Sequence, residues 1–156
     1  MVDGEQTPGS SHTDLVGQRA VVTGSSRGIG RALALELAAA GADVLVHGRT
    51  RTQHLCEVVD CIRARGRAAS ALVGDLAQPA DHERLVDQAW ATLGGVEIWI
   101  NNAGADVLTG EAADWPFERK LEELWRVDVV ATLRLSRLAG RRMQLQQGPP
   151  GSCCIV

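Results

Sequence analysis

Arg19-Ala-Val-Val-Thr-Gly-Ser-Ser-Arg-Gly-Ile-Gly30 is the stretch that decides the fold, because it joins an apolar run to a glycine-rich turn and a helical pattern. Residues 19–23 are mostly apolar and predict a strand buried on both faces. Glycines let a turn approach a ligand closely, and the amide groups of a following helix N-terminus face a phosphate. The spacing Gly24-x-x-x-Gly28-x-Gly30 therefore marks a candidate phosphate-binding turn, with a plain connecting loop as the alternative.

Helical and extended patterns alternate along the rest of the chain. Apolar residues at helical spacing predict helices over residues 28–40, 55–66, 79–93 and 117–146. Further buried strands are predicted over residues 42–47, 68–73 and 96–100, and a fifth begins at Ser152. Such alternation with short glycine-rich connections is typical of an α/β fold in which a parallel sheet is doubly wound by helices.

The two ends of the chain differ from this pattern. Residues 1–13 are polar and offer little to bury, which predicts a disordered tail. Residues 14–156 are expected to form one domain whose last strand follows the break Gly148-Pro-Pro-Gly151. No helix follows that strand to cover it, so we expect the sheet to be incomplete on its C-terminal side.

Composition excludes several classes of protein. A net charge of −3 argues against a nucleic-acid partner, which requires a basic face. No apolar run reaches the roughly 18 residues that span a bilayer, and residues 1–13 lack a secretory pattern, so we expect no membrane partner and a cytoplasmic location. The cysteines lack metal-site spacing and predict small buried hydrophobic residues rather than metal ligands or disulfides; they are Cys56, Cys61, Cys153 and Cys154. The four histidines are expected at surface or core positions.

Two further motifs follow the third and fourth predicted strands. They are Asp75-Leu76 and Asn101-Asn-Ala-Gly104, in which Asp75 alone would be a helix N-cap and Asn101 a turn residue. Together with the glycine turn they resemble, in order and spacing, the classical short-chain dehydrogenase/reductase family from about Val16 onward. The glycine motif and His47-Gly-Arg49 are most similar in style to 3-oxoacyl-acyl-carrier-protein reductases. The resemblance implies a Rossmann-like fold and an NADP(H)-dependent oxidoreductase.

The resemblance also implies a cofactor site. The glycine turn would hold the pyrophosphate, Asp75 and Leu76 would meet the adenine, and residues 101–104 would border the ribose and the nicotinamide. The predicted cofactor-binding residues are Thr23, Gly24, Ser26, Arg27, Gly28, Ile29, Gly30, Arg49, Asp75, Leu76, Asn101, Asn102, Ala103 and Gly104.

Charge argues for NADP(H) over NAD(H). An acid at the end of the second strand selects NAD(H), whereas a 2′-phosphate requires cations there. This strand ends with His47-Gly-Arg49 and no acid, and Arg27 lies in the glycine turn. Both guanidinium groups suit bidentate contact with a phosphate, although two solvated surface arginines remain the alternative.

The catalytic residues that the resemblance implies are Asn, Ser, Tyr and Lys. The Asn position holds Asp128, which accepts a hydrogen bond but donates no amide one. The sequence has no tyrosine, its single lysine is Lys120, and the serine position falls past Val156. We therefore identify no certain catalytic residue and no metal ligand, and we expect this chain alone not to reduce a carbonyl.

Three interpretations remain open at this point. The chain is the cofactor-binding part of an enzyme acting on a small carbonyl or alcohol substrate, an inactive NADP(H)-binding module or heteromeric partner, or the product of an interrupted gene. Apolar residues on more than one face of residues 117–146 predict a homo- or hetero-oligomer through that helix.

Overall fold

The computed structural model describes residues 15–146 and 153–156. Its five parallel strands stand in the order β3-β2-β1-β4-β5 and are β1 Arg19–Val22, β2 Asp43–Gly48, β3 Ala69–Val73, β4 Ile98–Ile100 and β5 Cys154–Ile155. The α-helices are α1 Gly28–Ala39, α2 Gln53–Arg63, α3 Pro79–Leu93, α4 Phe117–Leu124 and α5 Thr132–Leu145. The predicted α/β fold with a doubly wound parallel sheet is confirmed.

One predicted helix differs in its interior. Residues 117–146 do not form a single α-helix, because a π-helical segment, Trp125–Ala131, separates α4 from α5. A π-turn adds a residue to the turn and shifts the faces that follow it, which apolar spacing alone does not reveal. The predicted tail over residues 1–13, the break at 148–151 and the strand start at Ser152 lie outside the described residues.

Two apolar layers enclose the sheet, and β1 contributes residues to both of them. Ala20 and Val22 pack with α1 and α2, whereas Val21 packs with α3 and α5 on the opposite face. The residues that face the core from α2 are Leu55, Val58, Val59 and Ile62, as their spacing predicts. Each strand near the centre is therefore buried on both sides, as a parallel sheet requires.

The cysteines do not all follow their predicted burial. Cys154 is exposed on β5, and Cys56 and Cys61 are half-buried on α2. Because β5 lies at the edge of the sheet, its outward side chains lack the cover that a central strand receives. Within the described residues, no helix combines the length and the apolar character that crossing a membrane requires.

The strand order reverses between β1 and β4. The chain runs from β1 to β2 and β3 on one side, then returns to β4 and β5 on the other. In open α/β sheets a ligand binds at such a switch point, outside the carboxyl ends of the strands. The glycine-rich turn after β1 and the loop after β4 meet at this place.

An ion pair closes the other end of the same two strands. The Arg19 Nε atom donates to Glu97 Oε2 at 3.0 Å, and the backbone N–H of Arg19 donates to the same oxygen at 2.9 Å. The Glu97 side chain is only 11% exposed, so its carboxylate depends on these donors in place of water. Hydrogen bonding from Arg19 holds the pKa of Glu97 below its ordinary value, against the opposing effect of burial.

We expect Glu97→Gln to lower the free energy of unfolding by about 1–3 kcal/mol, because it leaves a partly buried guanidinium without its charged partner. Urea denaturation followed by tryptophan fluorescence measures this loss. The control is Glu57→Gln, since Glu57 pairs with His54 on an exposed face and should change stability by no more than about 0.5 kcal/mol.

The pH dependence of that loss has a definite sign. A carboxylate with a lowered pKa stabilises the folded state above its ordinary value of 4.5, and the contribution disappears as the pH falls through the folded-state pKa. The difference between wild type and Glu97→Gln should therefore shrink in acid. A difference that stays constant with pH would contradict the role assigned to this ion pair.

Candidate functional site

A cavity of about 870 Å³ lies outside the carboxyl ends of the strands. Its walls are the glycine-rich turn, the ends of β2 and β3, the loop after β4, and part of the segment from Trp115 to Val127. This volume lies within the range of pockets that bind small molecules and cofactors. All of the predicted cofactor-binding residues line it except Thr23 and Asn101.

Thr23 lies behind the cavity wall rather than on it. Its side chain is buried, and its Oγ1 atom accepts the backbone N–H groups of Asn102 at 2.9 Å and Ala103 at 3.0 Å. The same hydroxyl lies 3.3 Å from the Ile100 carbonyl, to which it donates. Thr23 therefore joins the two loops, and it lies outside the cavity lining that most of the other predicted cofactor-binding residues share.

Asn101 also points away from the cavity. Its Oδ1 atom accepts from the indole N–H of Trp99 at 3.1 Å, and its amide donates to Ser136 Oγ at 3.0 Å and to the Val156 carbonyl at 3.3 Å. These bonds tie β4 to α5 and to the end of β5. The adjacent Asn102 instead faces the glycine turn, where its amide donates to the carbonyls of Thr23 and Gly24.

The two loops approach so closely that only glycine fits at two positions. A Cβ atom on Gly24 would lie 2.7 Å from the Cα of Ala103, and one on Gly30 would lie 2.3 Å from the Asn102 amide nitrogen. Gly28 differs, because it has a φ of +59° and open space where a Cβ would stand. Its backbone therefore lies open to a ligand, and the left-handed conformation favours glycine.

The N-terminus of α1 is suited to an anion. Its N-cap, Arg27, makes no side-chain capping bond, and the first turn carries no acidic residue. In α2, by contrast, Thr52 Oγ1 accepts from the N–H of Leu55 at 3.2 Å. The open cradle at Gly28 and these amide groups together fit the pyrophosphate of a dinucleotide.

His47 is a buried residue of the site. The sequence predicts for it only a surface or core position. Its Nδ1 atom accepts from the backbone N–H of Gly24 at 3.2 Å, and its Nε2 atom lies 3.0 Å from the Gly74 carbonyl. Ser25 Oγ accepts from the N–H of His47 at 2.8 Å and donates to the Val22 carbonyl at 2.7 Å. A histidine inside an apolar strand could have indicated such a position from the sequence, because the nitrogens of a buried ring need hydrogen-bond partners.

The charged groups of the cavity are divided between two regions. Arg27 and Arg49 are exposed, and neither forms an ion pair with any residue in 15–146 or 153–156. Asp106 lies in the loop after β4, where hydrogen bonding from Thr109 and its neighbours, with a smaller effect of the Arg27 charge, lowers its pKa. Within the described residues, both arginines therefore lie beside the glycine turn without an ion-pair partner.

Asp75 is not the N-cap of α3, which is Gln78. Its Oδ1 atom accepts from the N–H of Ala77 at 3.0 Å, which forms a local turn after β3. The backbone N–H of Asp75 donates to Asp81 Oδ2 at 2.7 Å, so the first turn of α3 fixes this wall. Leu76 is buried beside it and lines the cavity, as the resemblance implies.

Asp128 and Lys120 lie near the cavity without lining it. The Asp128 Oδ1 atom accepts from the N–H of Ala105 at 2.9 Å, so the π-helical segment holds the loop after β4. Lys120 is half-buried on α4, where it donates to the Ala113 carbonyl at 2.6 Å. The described part of the chain contains no group of three or more residues suited to hold a metal ion.

The chain is similar to a 3β-hydroxysteroid dehydrogenase 1 of Eggerthella lenta, with 37% identity over 78% of this chain and 45% of the relative. A crystal structure of a short chain dehydrogenase from Burkholderia cenocepacia in complex with NADP shares 38% identity and has a TM-score of 0.74, over 83% of this chain and 52% of that one. A 3-oxoacyl-(acyl-carrier-protein) reductase from Agrobacterium tumefaciens, with NADP bound, shares 36% identity and has a TM-score of 0.71, over 83% and 48%.

The chain thus spans about half the length of the relatives that it matches. The profile of the short chain dehydrogenases matches residues 18–154, which include every strand of the sheet except the end of β5. With the fold, the glycine turn and the switch-point cavity, this match shows that the chain belongs to the short chain dehydrogenase family of oxidoreductases.

Proposed function

We propose that this chain is the cofactor-binding part of an NADP(H)-dependent oxidoreductase that interconverts a small carbonyl and an alcohol. The observation that carries the choice of NADP(H) is the pair Arg27 and Arg49, which line the cavity without an ion-pair partner in the described residues. A carboxylate at this place would repel a 2′-phosphate, and β2 ends without one.

The proposed contacts divide along the cavity. Gly28, Ile29 and the N-terminus of α1 hold the pyrophosphate, Asp75 and Leu76 border the adenine, and residues 102–104 border the ribose and nicotinamide. When bound, the nicotinamide supplies or accepts the hydride. The protein contributes position and charge, because the glycine turn and the loop after β4 are each held by hydrogen bonds from buried side chains.

We expect Arg49→Ala to weaken NADP⁺ binding about 10- to 100-fold and to leave NAD⁺ binding almost unchanged, because a charge-assisted contact with the 2′-phosphate is lost. Isothermal titration calorimetry with both cofactors measures the effect. Arg51→Ala is the matched control, since Arg51 is also exposed but does not line the cavity. Equal wild-type affinity for the two cofactors, or equal losses in both variants, would refute the selection by Arg49.

A second candidate is a binding module that does not catalyse the reaction. Three observations favour it for these 156 residues, which contain no tyrosine, carry Asp128 at the family's asparagine position, and hold Lys120 on the Ala113 carbonyl, outside the cavity lining. The proton that a carbonyl oxygen takes up on reduction needs a donor in the site. Neither Asp128 nor Lys120 replaces the tyrosine that donates this proton in the family.

We therefore expect purified 156-residue protein that binds NADPH to oxidise none of it when a ketone is added. The measurement is the nicotinamide absorbance over time, after binding has been established in the same sample. A complete reductase of the family, assayed beside it, confirms that the ketone is a competent substrate. Turnover that scales with the amount of this chain would overturn the second candidate and support catalysis by the chain itself.

We also propose that the outer face of the long helical region binds a second copy of the chain. Phe117, Leu121 and Trp125 recur every four residues, and Phe117 and Trp125 are 72% and 59% exposed. Residues 117–127 carry three acidic and three basic side chains, so this segment has no net charge that would repel a second copy. Packing this apolar face against the same face of a second copy would remove both from water, as the self-complementary interface of a twofold dimer allows.

We expect the chain to sediment as a dimer at micromolar concentration, and Leu121→Glu to shift it to the monomer, because the charge would be buried in an apolar contact. Analytical ultracentrifugation measures both. Leu108→Glu is the control, since Leu108 is 79% exposed on a loop outside this helical face. A monomeric wild type, or dissociation by both substitutions alike, would exclude the proposed interface.

We further propose a cytoplasmic location. Cys56 and Cys61 are free thiols on one helix of the described structure. Thiols of this kind persist in compartments that are kept reducing.

A further inference from the structure

We propose that His47 is a positioning residue of the cofactor cavity, which ties the glycine turn to the end of β3 and supports dinucleotide binding only while its ring is uncharged. This inference rests on the proposed function, because it concerns the same cavity. It assigns a role to a side chain that the glycine, aspartate and asparagine motifs do not include.

The bonding partners of the ring define its protonation. The Gly74 carbonyl can only accept a hydrogen bond, so the Nε2 atom, 3.0 Å away, must carry a proton. The backbone N–H of Gly24 can only donate, so the Nδ1 atom, 3.2 Å away, must offer its lone pair. The two bonds can therefore form together only in the neutral Nε2–H tautomer.

The ring connects three walls of the cavity. Gly24 belongs to the glycine turn and is in contact with Ala103 of the loop after β4. Gly74 immediately precedes Asp75, which lines the cavity beneath the proposed adenine position. A proton on Nδ1 would set one donor against another at Gly24, and the turn would have to move away from the ring.

The surroundings of the ring favour the neutral form. His47 is 3% exposed, and this burial is the main cause that lowers the pKa of its ring below 6.5. From the neighbouring elements, the carboxylates of Asp81 and Asp75 oppose the shift, whereas the charge of Arg84 on α3 supports it. Arg49, two residues further along the chain, and Arg27 on the turn also line the cavity that His47 borders.

The sign of the pH effect follows from these contacts. The folded, binding-competent ring takes up a proton only below the pH at which an ordinary histidine does so. Cofactor affinity should therefore hold through neutral pH and fall in acid, as the pH passes through the lowered pKa of His47. The 2′-phosphate of NADP⁺ also titrates near pH 6, so the wild type must be compared with a variant at each pH.

The experiment measures NADP⁺ binding by calorimetry from about pH 5 to pH 8 for wild type, His47→Gln and His54→Asn. We expect His47→Gln to bind at least about tenfold more weakly at pH 7.5, because one amide cannot satisfy both Gly24 and Gly74. Its remaining pH dependence should be smaller than that of the wild type. His54 is the matched control, since its side chain is 65% exposed and pairs with Glu57 on the outside of α2.

A second measurement needs no substitution at position 47. Heteronuclear NMR of the histidine rings in the wild-type chain reports the tautomer and the charge of each ring. The His54→Asn spectrum identifies the signal of His54. We expect His47 to show the neutral Nε2–H tautomer and to take up a proton only below the pH at which an ordinary histidine does so. This result would support the proposal even if His47→Gln failed to fold.

The outcomes separate this inference from the proposed function. Titration of His47 at or above the pH of an ordinary histidine, or a folded His47→Gln protein that binds NADP⁺ like the wild type at every pH, would overturn the role of His47 alone. A folded wild type that binds no dinucleotide at any pH would overturn the proposed function and, with it, the requirement for an uncharged ring in binding.

Discussion

The hydroxyl of Thr23 is the contact on which the cavity depends. It accepts two N–H groups from the loop after β4 and donates to the carbonyl at the end of that strand, so it joins residues about 80 positions apart in the chain. Asn102 returns two bonds to the carbonyls of Thr23 and Gly24. The loops are thereby drawn so close that Gly24 and Gly30 cannot carry a side chain. Packing within and between the loops therefore requires glycine at positions 24 and 30, whereas Gly28 has open space at its Cβ position.

The other walls are held by the same means, with polar side chains behind the loop that they support. His47 bonds the glycine turn and the Gly74 carbonyl, Asp128 bonds the N–H of Ala105, and buried His82 lies 2.8 Å from the Leu76 carbonyl through its Nε2 atom. The backbone of each of these walls is therefore held in place from behind the cavity. Under the proposed function, the choice of cofactor belongs to a few projecting groups, above all Arg27 and Arg49, whose side chains take no part in these bonds behind the loops.

Much of the fold and of the cavity could be predicted because both depend on local sequence. Glycines end the helices, apolar spacing marks the buried face of α2, and three motifs at strand ends must meet in a parallel sheet. The direction of individual side chains could not be predicted. Asn101 and Asn102 are adjacent and chemically identical, yet the chain leaving β4 turns one towards α5 and the other towards the glycine turn.

The π-helical segment could not be read from the sequence either, since its apolar residues fit a regular helix as well. Its effect is to hold Asp128 where the carboxylate reaches Ala105, which also brings Oδ1 within 3.2 Å of the Cβ position on Gly104.

Asp128 is weak evidence for deciding whether the chain is part of an enzyme or an inactive binding module. The bond that it makes is one in which an oxygen accepts, and the oxygen of an asparagine would serve equally well. An aspartate therefore keeps the support of the loop and gives up only the ability to donate an amide hydrogen. It adds a negative charge beside Gly104, at the end of the cavity proposed for the nicotinamide. Asp128 thus supports the loop after β4 as an asparagine would. The two residues differ in function only where a group in the cavity needs a hydrogen-bond donor from position 128.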